Sequence, residues 1–140
     1  MPSTSTPTTN ASMAKLTKAE LRVLADQLLE PEPWIIERCV EFVLAETQGL
    51  WHGRARATMC RRLKHCELGR THRANLVSCI LARFSDGSFS EQFKDQLRLA
   101  MHLDFPKVIS ASHKCLVSQK PYVKRYAEWA LSPEHTHSAA

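Results

Sequence analysis

The sequence predicts an all-α fold, a compact array of about seven short antiparallel helices. Apolar residues recur at the spacing of one helical turn in segment after segment, which is the pattern of helices with one buried face. Only four glycines occur in 140 residues, and β-branched residues seldom alternate with polar ones, so strands have little to build on.

The elements follow in order. Thr17 and Glu20 form a capping-box pattern ahead of Leu21, Leu24, Leu28 and Leu29, which share a helix face up to Pro31. Pro33 suits a first turn, and Ile35, Ile36, Cys39, Val40 and Val43 then recur until Gly49, with Phe42 and Leu44 widening the apolar face. Between Gly53 and Gly69 the narrower stripe Ala55, Met59, Leu63, Cys66 predicts a helix with one buried edge and much wet surface.

Thr71 can cap a fourth helix carrying Leu76, Val77, Ile80, Leu81 and Phe84, which Asp86 and Gly87 end. Ser88 and Glu91 repeat the capping box for a fifth, with Phe93, Leu97, Ala100 and Met101. Asp104 and Pro106 open a sixth through Val108, Ile109, Cys115 and Leu116; Pro121 opens a seventh through Val123, Tyr126, Ala127, Ala130 and Leu131. The links are short, so sequential helices are expected to pack as hairpins.

This organisation implies one domain over residues 15–132. Residues 1–14 are Ser/Thr/Pro-rich without a charged side chain, and residues 133–140 begin with a helix-stopping proline, so both ends read as disordered tails. With 44% apolar and 24% charged residues, the chain can bury a core without disulfides or metal. No apolar run reaches the ~18 residues needed to cross a bilayer, and no secretory signal is visible, so the expectation is a cytoplasmic protein with no membrane contact. Five cysteines without a C-x-x-C pair fit reduced thiols.

Asp104 and Pro106, followed by Pro121, Tyr122, Val123, Lys124, Ala127 and Leu131, resemble one HEAT-type helical repeat over residues 104–131. The resemblance implies helix pairs stacked into a curved array whose concave face binds another macromolecule. Tyr126 and Trp129 depart from the small residues usual near those positions, and the earlier helix pairs carry no copy of the pattern.

Charge is unevenly spread. Residues 52–73 hold Arg54, Arg56, Arg61, Arg62, Lys64, Arg70 and Arg73 against Glu67 alone, whereas residues 15–50 carry four basic and seven acidic side chains. At 100° per residue Arg54, Arg61 and His65 lie opposite Ala55, Met59 and Cys66, with Lys64 beside them. The binding surface read from sequence is therefore Arg54, Arg61, Arg62, Lys64, His65, Arg70 and Arg73. Two uses compete: phosphate contacts, and ion pairs with the acidic first third of the chain.

Tyr122, Tyr126 and Trp129 stand at i, i+4, i+7 among cations, a mixture that can stack bases, but this spacing more often marks core. Trp34 and Trp51 read as packing residues. A zinc site from Cys60, His65, Cys66 and His72 has its two thiols some 120° apart on one helix, a poor tetrahedral start. Glu37 and Glu41 with His52 form no recognisable acid–base set, and no phosphate loop, nucleophile elbow or H-E-x-x-H is present, so no catalytic residue, cofactor or metal is assigned. The sequence thus points to a non-catalytic helical adaptor for a protein partner, an acidic one matching the surface, with a nucleic-acid-binding module as the alternative.

Overall fold

The computed structural model describes residues 13–89 and 92–138. Its helices are α1 (Lys18–Gln27), α2 (Pro33–Ala45), α3 (His52–Leu63), α4 (Arg70–Asp86), α5 (Phe93–Leu103), α6 (Phe105–Cys115), α7 (Pro121–Ala130) and the short α8 (Pro133–Ser138). No strand occurs among the described residues, so the fold is all-α, as the hydrophobic spacing predicts.

Local chemistry sets most helix ends. Thr17 Oγ1 accepts from the Glu20 amide at 3.2 Å and Glu20 Oε1 accepts from the Thr17 amide at 2.9 Å, completing the capping box of α1. Pro33 and Pro121 occupy first turns. Asp104 closes α5 and caps α6, its carboxylate accepting from the Lys107 amide at 3.3 Å. Thr71, in contrast, lies inside α4, which opens at Arg70 behind an extended Gly69 without a side-chain cap. Glu91, the far half of the proposed box for α5, lies outside the described residues; that helix starts after Gln92.

Gly87 ends α4 at φ +71°, and a Cβ there would stand 2.7 Å from Lys120 Cδ and 2.9 Å from the Tyr122 hydroxyl. Gly87→Ala is expected to destabilise by about 1–2 kcal/mol, since both the backbone and the space oppose a side chain. A urea denaturation midpoint unchanged from wild type would contradict this.

One continuous core runs from Leu21, Phe42 and Val43 through Met59, Ile80 and Phe84 to Phe93, Leu97, Val108 and Ala127. Helices two apart in sequence pack on one another, giving a row α1–α3–α5 and a row α2–α4–α6; α7 lies on α6. Within α3 the buried side is His52, Arg56, Ala57, Met59, Cys60 and Leu63, whereas Ala55, and Cys66 beyond the helix end, are only half-buried. Leu29 falls beyond α1 and is exposed, because Leu28 already closes that helix.

The compact body extends past both sequence-derived limits. Met13, which composition places in a tail, is buried in the core, and Pro133–Ser138 is helical, with the His135 ring edge-on to Trp129 at 4.5 Å. His52 ties the N-terminal segment down. Its Nε2 donates to the Leu16 carbonyl at 2.9 Å, which leaves Nδ1 to accept from the Thr47 hydroxyl at 2.5 Å. A Cβ on Gly49 would lie 2.7 Å from this ring, so the turn before α3 requires glycine.

Candidate functional site

The cations of the predicted surface do different things. Arg54, Arg61 and His65 are exposed, Arg62 and Lys64 are half-buried, and Arg70 and Arg73 lie exposed in the first turn of α4. Arg61 pairs with Asp95 of α5 at 2.7 Å. Arg62 donates to the Ala25 carbonyl at 2.7 Å and pairs with Asp26 at 3.1 Å. Arg73 donates to the Leu103 carbonyl at 3.2 Å. The side chains of Lys64, His65 and Arg70 make no ion pair or hydrogen bond among the described residues.

A common logic underlies these bonds. The last turn of a helix leaves carbonyls without intrahelical partners at its negative end, and a cation there satisfies both. Arg62 closes α1 at Ala25, Arg73 closes α5 at Leu103, and Lys120 Nζ donates to Asp86, the last residue of α4, at 2.7 Å. Arg83 does the same for α2, donating from Nη2 to Val43 at 2.7 Å and Leu44 at 3.1 Å. Much of the excess positive charge is therefore helix-end chemistry between distant segments.

Four of the seven residues of the predicted surface line two clefts that share no lining residue, while Arg61, Lys64 and His65 line neither. Arg70 and Arg73 line one with Lys107 and Asp104. Arg54 and Arg62 line the other, a groove of about 340 Å³ between α1 and α3, together with Lys18, Arg22, Asp26 and Trp51. Trp51 sits at φ +70° before α3 and is exposed. Lys18 Nζ stands 4.1 Å from its ring centroid and the Arg54 guanidinium 5.4 Å, so two cations contact the indole.

Comparison with protein-family models, with curated proteins and with solved structures found no match. The residues themselves therefore carry the functional reading. Trp51, Lys18 and Arg22 are absent from the sequence-derived surface. The signal available for Trp51 was its place three residues before Arg54, whereas nothing in the sequence links Lys18 or Arg22 to it.

The C-terminal aromatics pack. Phe89 stacks on Phe93 at 4.1 Å, Tyr122 and Tyr126 meet Phe89 edge-on at 5.3 and 5.4 Å, and the Tyr122 hydroxyl donates to the Gly87 carbonyl at 2.8 Å. Burial pushes the Cys39 and Cys60 thiols up to about 12, where they are not nucleophilic at neutral pH. Among the described residues no three His, Cys, Asp or Glu side chains come together to hold a metal. No described helix is long and apolar enough to cross a membrane.

Two further arginines lie deeper. Arg83 is 5% exposed; besides the α2 carbonyls it bonds Gln96 Oε1 at 2.7 Å and, through Nε, the Glu46 carboxylate. Arg56 is also 5% exposed and donates to the Thr47 carbonyl, yet among the described residues its Nε finds no acceptor and no carboxylate pairs with it. Burial, and then the Arg83 charge, lowers its pKa from the usual guanidinium value.

Proposed function

We propose that the chain is a cytoplasmic, non-catalytic, helical-repeat-like adaptor that binds an acidic protein segment in the α1–α3 groove. The observation that carries this reading is the exposed Trp51 indole in contact with Lys18 and Arg54, with Arg22 and Arg62 along the same groove. An indole offers a large, stiff contact area, and the cations around it select acidic side chains. The packing of α1 on α3 on α5, and of α2 on α4 on α6, supports the repeat-like architecture. Five free cysteines fit a reducing compartment.

Magnitude favours a protein over nucleic acid. A nucleic-acid binder with strongly salt-dependent affinity makes roughly 6–10 phosphate contacts. Arg61 and Arg73 are already engaged within the fold, Arg54 and Arg70 line separate clefts, and Lys64 and His65 line neither. A short groove with one aromatic anchor suits a peptide.

Fluorescence anisotropy with a labelled oligo-glutamate peptide, and separately with a labelled single-stranded DNA, tests this. The peptide should bind saturably at low salt, and Trp51→Asn should weaken it on the order of tenfold. Stability should hold or rise, because asparagine accepts the left-handed backbone at Trp51 better than a bulky ring does. Absence of peptide binding at low salt, or a Trp51→Asn variant that binds like wild type, would overturn the proposal. DNA bound more tightly than the peptide, with a steep salt slope, would transfer the function to nucleic acid.

A further inference from the structure

The other side of α3 holds a second cavity. At 100° per residue Gly53 and Arg56 point away from Arg54, Ala55, Thr58 and Arg62, so the two lining sets occupy opposite faces of one helix. The cavity encloses about 390 Å³ between the α2–α3 turn, α4 and α5, and Arg56, Arg83, Glu46, Gln48, Ser88 and Gln96 supply its polar walls.

We propose that this cavity binds a carboxylate, received by Arg56. The first reason is charge balance. Two buried guanidinium groups and one carboxylate, Glu46, line it, and Glu46 is already bonded to Arg83. A buried charge without a counterion is costly, and among the described residues no carboxylate pairs with Arg56. A monoanion closes that balance, whereas a phosphate dianion would leave an excess next to Glu46.

The second reason is the set of unused donors. Arg83 has acceptors on Nε, Nη1 and Nη2, whereas Arg56 donates from Nη2 alone, which leaves its Nη1 without an acceptor among the described residues. Gln96 accepts from Arg83 through Oε1, which leaves its amide NH2 group to donate. Gly53 belongs to the first turn of α3, which has no side-chain cap and no acidic residue, so its amide lies at an unneutralised positive helix end. Arginine, amide and backbone donors, with no carboxylate paired to Arg56 among the described residues, describe a carboxylate receptor. The volume exceeds that of a carboxylate alone, so the group arrives on a larger body: a free organic acid, a peptide C-terminus or an acidic side chain.

Nitrogen-15 NMR of the full chain tests this at the atoms concerned. Sodium acetate should shift the Arg56 Nε–H and Gly53 amide signals saturably, with half-saturation on the order of millimolar. Sodium chloride at matched ionic strength should give no saturation. N-acetylglycine and a blocked glutamate amide separate the sources: saturation by the first alone assigns a free acid or chain terminus, and saturation by both admits an acidic side chain. Arg56→Lys, which keeps the charge but loses the fork, should weaken the Gly53 response about tenfold. The wild-type titration decides the matter even where that variant folds poorly. Acetate shifts that stay linear like those of chloride, or inorganic phosphate saturating at lower concentration than acetate, would overturn the proposal. It stands apart from the α1–α3 groove, since Trp51→Asn leaves these donors in place.

Discussion

Arg83→Met is expected to lower the stability of the fold by about 2–4 kcal/mol, one of the two largest effects anticipated for a single substitution here. The side chain is 5% exposed and satisfies four groups at once: the Val43 and Leu44 carbonyls, Gln96 Oε1 and the Glu46 carboxylate. Methionine fills most of the volume and donates nothing, so the end of α2 and the amide oxygen lose their partners. Glu46 is 38% exposed and can rehydrate, which keeps the expected loss below the roughly 3–5 kcal/mol of a fully buried broken pair. Glu46 also sits at φ +56°, a left-handed geometry that side chains disfavour, so the turn into α3 should loosen when this contact is lost. The measurement is urea denaturation, where the midpoint should fall by about 1–2 M with little change in slope. Arg83→Lys separates charge from shape, since an ammonium cannot fork across two carbonyls, an amide and a carboxylate; it should recover less than half of the loss. A methionine variant within about 0.5 kcal/mol of wild type would show that the guanidinium does not clamp α2.

Arg83 was legible as a buried position but not as a functional one. It follows Leu76 and Ile80 at i+7 and i+3 and precedes Phe84, so it lies on the apolar stripe of α4. A cation on such a stripe implies a buried acceptor, but its acceptors stand some 40 residues away, at Val43 and Leu44. Arg56 repeats the case between His52, Met59 and Cys60 on α3. Some helix starts were readable because their chemistry is local, as with Thr17 and Glu20 or Asp104 and Lys107, whereas Thr71 lies inside α4 and caps nothing. The basic surface was readable only as composition. Whether Arg62 faces solvent or closes α1 depends on where Ala25 lies, 37 residues off. Trp51 shows the converse: an apolar residue at a helix boundary reads as core, and its exposure follows from a left-handed backbone that spacing does not reveal.

Phe93→Ala carries the other large effect, an expected loss of about 3–5 kcal/mol. The ring is fully buried at the start of α5, stacked on Phe89 at 4.1 Å, with Tyr126 edge-on at 5.8 Å and Phe84 at 6.1 Å. Truncation removes the apolar burial of one ring, opens a void and ends three aromatic contacts, each such pair contributing about 0.5–1.5 kcal/mol beyond area. The void cannot close easily. Phe84 is anchored on α4, Tyr126 on α7 and Phe93 itself on α5, so collapse would require whole helices to shift. Phe93→Leu retains most of the volume and should cost about 1–2 kcal/mol, the ratio between the two variants reporting how far the site relaxes. Because Phe89 also lines the Arg56 cavity, losing its stacking partner should loosen that wall while the protein remains folded. Phe93→Ala is thus expected to weaken the acetate response at Gly53 in mild conditions well before it unfolds the chain, whereas the α1–α3 groove, which shares no lining residue with the cavity, should keep its affinity for oligo-glutamate. An equal loss at both sites would mean that the variant damages the fold as a whole rather than this wall.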